Sequence, residues 1–224
     1  MAKQNSQGGF FAGLTRLVVA ALAGTAYYLV VRPRLNVAGT LPGEATRKMP
    51  GDELIPVTNF ETTRAIDIET PVETVWAWIA QIGRDNSGYY GLDSLTNRGI
   101  PSVSYLRQDL PAPQIGNQLD GGYRVLEVQE NEFLVYGAFD LPTPFGQPME
   151  RTTLLLVEKR ITGTARLIVR TRAYVYGTFA KAYVTLLEVL DYLDTKQMLT
   201  NIKERAEMMQ KLARPIEPVQ LENQ

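Results

Sequence analysis

Any chemistry in this chain must run on carboxylates, tyrosines, arginines and lysines, because it contains neither histidine nor cysteine. That excludes imidazole general bases, Ser-His-Asp and Cys-His triads, thiolate nucleophiles and disulfides. It also removes the common zinc, copper and haem ligands, so neither a metal nor a cofactor is expected. The net charge of −1 gives no basic field for nucleic acid. What remains can orient a molecule with an apolar body and a polar handle. Tyr89, Tyr90 and Asp93 follow a glycine-bearing turn at 83–88 and set two rings beside a carboxylate. Their alternative role is structural, with the tyrosines packing a short helix and Asp93 capping it or pairing with an arginine. Arg124, Tyr136, Arg151 and Tyr174 lie on or beside strand-like runs and can bring polar groups into a cavity. A buried arginine there needs a partner such as Asp93 or Glu150. Glu188, Asp191 and Asp194 recur every third residue, which permits acid–base work or cation binding. A solvent stripe opposite the leucines is the plainer reading. Arg166, Arg170 and Arg172 alternate with Leu167, Val169, Thr171 and Ala173, so they share one strand face. They are expected in solvent, paired with Glu127 or Glu158 or meeting anionic headgroups.

Those groups need elements to hold them. Ile66 and Ile68 alternate with Asp67 and Glu69, which predicts a strand over 63–69. Thr70 as N-cap, Pro71 in the first turn and Glu73 closing a capping box then announce a helix. Val72, Val75, Trp76 and Ile79 fall on its apolar face, and Trp78 lies off it. A short helix is expected at 89–95, and a strand inside a proline-rich loop at 102–106. Runs 123–129 and 132–139 flank a hairpin turn at Glu130-Asn131, and runs 152–160 and 165–176 flank another. From 178 to about 212 there is no glycine or proline, and Phe179, Tyr183, Leu186, Leu187, Leu190 and Leu193 step by three and four. That predicts a long amphipathic helix whose apolar stripe, Tyr183 and Leu187 included, walls a cavity against the sheet. The result is an α+β domain, a curved antiparallel sheet covered by the only element long enough to cover it.

Upstream, residues 10–31 are apolar apart from Thr15, Arg16 and Thr25. At ~1.5 Å per residue they span roughly 33 Å, enough for a bilayer core of about 30 Å. Arg16 is close enough to one end to snorkel, and Tyr27 and Tyr28 suit the other interface. A cleaved signal peptide would stop at Ala23-Gly24-Thr25-Ala26, but Tyr27 to Val31 continue the run. A transmembrane anchor is therefore expected. Arg32, Arg34, Arg47 and Lys48 beyond it favour a cytoplasmic carboxy-terminal domain. Pro33, Gly39, Pro42, Gly43, Pro50, Gly51 and Pro56 break both periodicities and mark 32–56 as a linker.

The segments "GDELIP" at 51–56, "TTRAIDIETPVETVWAWIAQIG" at 62–83, "GYYGLDSLTN" at 88–97, "TARLIVRTRA" at 164–173 and "MLTNIKERAE" at 198–207 are similar to bacterial proteins of the START-like, SRPBCC superfamily, in its polyketide cyclase/dehydrase-like subgroup. Tyr89 stands where that subgroup usually carries Trp, and Gly91 and Ser94 thin its bulk. The resemblance implies a helix-grip fold with a hydrophobic cavity between sheet and last helix, and no shared catalytic set. Many members of the subgroup also carry an amino-terminal membrane segment. The reading is a tail at 1–9, a transmembrane helix at 10–31, a linker at 32–56, a START-like domain at 57–213 and a disordered tail at 214–224. It describes a single-pass protein, expected in a bacterial inner membrane, that binds a lipid, quinone or polyketide-like molecule through Tyr89, Tyr90, Asp93, Arg124, Tyr136, Tyr174, Tyr183 and Leu187. The alternatives are a cyclase, dehydratase or isomerase using Tyr and Asp/Glu, and an interaction subunit of a membrane complex. Nothing in the sequence assigns an oligomeric state.

Overall fold

Five strands alternate inward and outward residues along one antiparallel sheet: β1 (Phe60–Ile68), β2 (Arg124–Gln129), β3 (Phe133–Pro142), β4 (Pro148–Lys159) and β5 (Ala165–Val175). Their order is β1-β5-β4-β3-β2. The computed structural model describes residues 6–120, 122–144 and 146–213. The expected tail at 214–224, and the first five residues of the tail at 1–9, lie outside them. The strand period of two sends Ile68, Leu134, Leu155 and Leu167 to one face, where they are fully buried. A helix, α5 (Ala180–Ala213), lies across that face and seals it with Met198, Leu199, Ile202 and Ala206. The fold is α+β, an open five-stranded antiparallel sheet with a long C-terminal helix.

Ahead of the domain, α1 (Ser6–Ala26), a widened turn at Tyr27–Val31 and α2 (Arg32–Asn36) follow one another without a break. Arg32 N–H bonds to Tyr27 O, five residues back. The widening lies just before Pro33, whose ring would crowd the carbonyl of a regular preceding turn. Thr15–Asn36 is long and apolar enough to cross a membrane. Two more helices follow β1, α3 (Val72–Ile79) and the single turn α4 (Asp93–Thr96).

Two local expectations change. Pro71, at φ −59° and ψ 157°, occupies the N-cap position of α3, and no side chain caps the helix. Thr70 N–H turns back to Ile68 O instead, so the capping box does not form. Residues 102–106 form no strand, because Ser102 gives both its N–H and its hydroxyl to the Asp93 carboxylate.

The larger correction concerns the outer face of the sheet. Arg166, Arg170 and Arg172 do share that face, but it is not solvent: Arg166 is 2% and Arg170 3% exposed. The segment 37–56 covers them. Arg166 Nε and Nη2 grip the Glu44 carboxylate at 2.6 and 2.7 Å. Arg170 donates to Asp52 at 2.8 Å, to the Arg47 carbonyl at 2.9 Å, and to the Glu44 and Ala45 carbonyls at 3.0 Å. Arg172 reaches Ile55 O and Glu61. Glu158, expected on these arginines, pairs instead with Arg47 at 2.5 Å. Met49 joins Ala65, Leu154 and Ile168 in a second apolar cluster on this face. A strand pattern shows which residues share a face; it does not show which segment will cover that face.

This clamp makes a prediction. Replacing Arg170 by Ala takes from Asp52 its nearest cation, leaving it the Met49 N–H and a more distant Arg172, and takes a donor from three backbone carbonyls, a loss of about 3–5 kcal/mol for a broken buried pair. Limited trypsin digestion should then cut Arg170→Ala at Arg47 or Lys48 much faster than the unaltered chain. Equal cutting would show that the clamp does not hold the segment down.

Candidate functional site

The first half of α5 meets the sheet through charge, beside an apolar contact of Val184 with Phe60, Met149, Ala173 and Val175. Asp191 turns inward and its Oδ2 accepts Arg64 Nη1 of β1 at 2.5 Å and Thr62 Oγ at 3.0 Å. Its Oδ1 accepts Arg151 Nη2 of β4 at 2.8 Å. One turn earlier, Glu188 accepts Arg32 Nε and Nη2 of the amino-terminal helix at 2.6–2.9 Å. One turn later, Asp194 Oδ1 accepts the Leu92 N–H at 2.6 Å. The expected solvent stripe is therefore buried: Glu188 is 3%, Asp191 4% and Asp194 8% exposed. Arg32, Arg64 and Arg151 come from three distant stretches of chain, so the helix pattern alone gives no sign of them. Arg151 takes Asp191 rather than the expected Asp93 or Glu150; Glu150 accepts the Tyr176 hydroxyl on the other face.

Between these charges and the strands lies a cavity of about 290 Å³. Tyr123, Tyr136, Arg151 and Thr153 line it from the sheet, and Tyr183, Leu187, Leu190, Asp191 and Asp194 from α5. Arg84, Tyr89, Leu95 and Thr96 close it from the loop and the α4 turn. The rings are packed together, with Tyr89 5.6 Å and Tyr123 6.0 Å from Tyr136 between centroids. Tyr89 donates to Asp120 Oδ2 at 3.0 Å, and Arg84 lies 3.6 Å from the same carboxylate.

The eight sequence candidates divide evenly. Tyr89, Tyr136, Tyr183 and Leu187 are brought together on the cavity. Tyr90, beside Tyr89, is held by a left-handed backbone (φ 59°) and is fully buried elsewhere. Its hydroxyl accepts from Gln81 Nε2 at 2.7 Å, and its ring packs on Trp78 and under Arg205. Asp93 is occupied by Ser102. Arg124 is exposed on the edge strand β2, and Tyr174 lies on the outer face against Tyr176. Of the predicted apolar stripe, Tyr183, Leu187 and Leu190 wall the cavity, whereas Phe179, Leu186 and Leu193 are exposed. Arg84 and Tyr123 carried no sequence signal. Gly91, read in the sequence only as thinning the segment's bulk, is needed here: a Cβ would stand 2.1 Å from Asp194 Oδ1 and push that carboxyl off Leu92.

The electrostatics set the chemistry. Burial pushes the Asp194 carboxyl above the ordinary aspartate range, with the Asp191 charge adding to it; the Leu92 N–H and Arg151 oppose the shift without cancelling it. Burial, with Tyr136 and Asp120 nearby, pushes the Tyr89 hydroxyl up, and burial does the same to Tyr136. Tyr89 and Tyr136 are therefore held in their neutral form. Arg151 stays charged: burial works against it, and Tyr123 and Asp191 outweigh that cost. Its Nη2 is committed to Asp191, and among the described residues its other guanidinium nitrogens have no acceptor. No group of three Asp, Glu, His or Cys side chains among the described residues could hold a metal ion. The arrangement offers a cation, several hydroxyls and one carboxyl biased toward its acid form.

A hypothetical protein from Helicobacter pylori is similar in structure, with a TM-score of 0.51 at 12% identity over 75% of this chain and 99% of its own. A protein from Nitrosospira multiformis gives 0.43 at 15% identity over 67% and 99%. The di-domain ARO/CYC BexL from the BE-7585A biosynthetic pathway gives 0.42 at 13% identity, over 67% of this chain and 47% of its own. No protein-family model and no curated protein matches the chain. The Helicobacter likeness is one of fold, and the sheet with its C-terminal helix fits a helix-grip arrangement.

Two predictions follow from Asp194. Gly91→Ala forces its carboxyl off Leu92 and should destabilise the protein by about 1–3 kcal/mol in chemical denaturation, the cost of an unmade buried hydrogen bond. The second is a pH effect. The folded protein holds the Asp194 proton to higher pH than the unfolded chain does, so the raised carboxyl favours folding in acid. That contribution is lost as pH rises above about 4, where the unfolded aspartate ionises, through the folded-state value. Asp194→Asn keeps an acceptor for Leu92 and removes the titration. Its melting temperature, scanned upward from pH 4, should fall less than that of the unaltered protein; parallel curves would place the titration elsewhere.

Proposed function

We propose that this protein is a membrane-anchored helix-grip protein whose cavity binds an amphipathic small molecule, with an apolar body and a polar end that accepts from Arg151. The observation that carries the reading is the Arg151 guanidinium, only partly committed to Asp191, in a cavity otherwise walled by tyrosines and leucines. At about 290 Å³ the cavity sits at the lower edge of the ~300–1,000 Å³ range of ligand pockets. That size suits one ring system or one short chain, such as a quinone-like or polyketide-like body, better than a whole two-chain lipid. The open cavity also supports a ligand-binding role over that of an assembly subunit with a collapsed core. Thr15–Asn36 supplies the anchor, and Arg32 and Arg34 at its far end favour a cytoplasmic domain in a bacterial inner membrane. Tethering would raise the local concentration of membrane-partitioned ligand at the cavity.

Asp194 favours a second reading, an enzyme of the cyclase, dehydratase or isomerase kind. A buried carboxyl held toward its acid form, sharing its cavity with the neutral Tyr89 and Tyr136 and with a cation, is equipped to protonate a carbonyl oxygen.

Native mass spectrometry of the detergent-extracted full chain tests the binding reading. One small molecule should be retained stoichiometrically, and Arg151→Met should lower its occupancy roughly tenfold, the loss expected of one charged hydrogen bond. Full occupancy in the variant, or an empty cavity from several expression hosts, would sink the proposal. If Asp194→Asn retains the molecule while the unaltered protein releases it in altered form, the enzyme reading holds.

A further inference from the structure

Residues 179–197 have their polarity reversed for a helix in water. Glu188, Asp191 and Asp194, the acidic residues of this stretch, are all buried. The exposed charges are Lys181 and Lys196, both basic. Leu186, Val189 and Leu193, meanwhile, are 55%, 38% and 46% exposed. One exposed leucine needs no explanation; an apolar stripe from which every acid has been withdrawn does.

The neighbours of each side say what covers it. At ~100° per residue the helix divides into four sides. Val184 and Thr195 are buried toward the sheet. Tyr183, Leu187 and Leu190 line the cavity. Thr185 and Glu188 hold the amino-terminal helix, through Tyr28 at 2.9 Å and Arg32 at 2.7 Å. Leu186, Val189 and Leu193 occupy the remaining side, between the anchor contact and the cavity wall. The apolar stripe is thus continuous with a segment long enough to enter a bilayer.

We propose that this side of α5 rests in the headgroup layer of the bilayer that holds the anchor, so that the cavity opens at the lipid surface. The inference rests on the anchor reading given above. Apolar side chains flanked by lysines are what an anionic interface attracts. A second copy of the chain would instead set Lys181 and Lys196 against like charges.

The chain has no cysteine, so single cysteines can carry an environment-sensitive dye without background labelling. We would label Leu193→Cys, Val19→Cys in the anchor, and Ile161→Cys at the exposed β4–β5 turn. Each full chain would be placed, one copy per disc, in nanodiscs of phosphatidylethanolamine and phosphatidylglycerol. The proposal expects the dyes at 193 and 19 to shift to the blue and be quenched by doxyl lipid, while the dye at 161 is quenched by aqueous iodide. Lipid quenching at 19 with iodide quenching at 193 overturns the docking and leaves the anchor standing. Iodide quenching at both positions overturns the anchor and the docking together. A blue shift at 193 that needs two copies per disc means chain–chain contact and also overturns it.

Discussion

A carboxylate buried under a helix is costly unless it is answered on both oxygens, and Asp191 is answered on both. Arg64 and Thr62 take one oxygen and Arg151 the other. Removing either arginine would leave charge in a dry place, so the three elements they sit on are locked to one another. That lock fixes the register of α5 over β1 and β4. Charges and tyrosines fill the space less closely than leucines would, and the unfilled remainder is the cavity.

The same logic runs outward along the chain. Arg64 turns its Nε to Leu35 O at the end of α2, and Arg32 takes Glu188. Ala65 N–H reaches Ala38 O, and Arg166 reaches Gly39 O. From there Arg166, Arg170 and Arg172 bind the segment through residue 55. The path from the amino-terminal helix to the sheet is therefore bonded at nearly every turn. The segment 37–55 is thus bonded along its length to the outer face of the sheet rather than hanging free of it.

The sequence made the elements legible because their signals are local. Alternation at 66–69, the helix signature at 71–79, the two hairpins and the unbroken run after 178 each sit within one window. Coverage was not legible, because it joins residues more than a hundred positions apart. Arg166 and Glu44 form one such pair, and Glu188 and Arg32 another. At the site, strand parity could have gone further. Tyr174 shares its parity with Arg166, Arg170 and Arg172, which already places it on the outer face. Tyr136 pairs with Thr153, and Thr153 with Thr171 between outward arginines on β5, which places Tyr136 inward. Tyr89 and Tyr90 could not be separated in advance, because a left-handed residue at 90 reverses the alternation that would have ranked them.

The long helix is two helices in its chemistry. From Thr195 onward it buries Met198, Leu199, Ile202 and Ala206 and closes the core in the ordinary way. Before that it buries Glu188, Asp191 and Asp194 alongside Val184, and leaves Leu186, Val189 and Leu193 exposed. A helix that only covered a sheet would have no reason to change rule at its midpoint. The acids fall where α5 meets Arg64, Arg151 and Tyr136, and beside them Val184 keeps an apolar contact with Phe60, Met149, Ala173 and Val175. The division within α5 thus points to the same place as the cavity does, and it does so from the helix alone.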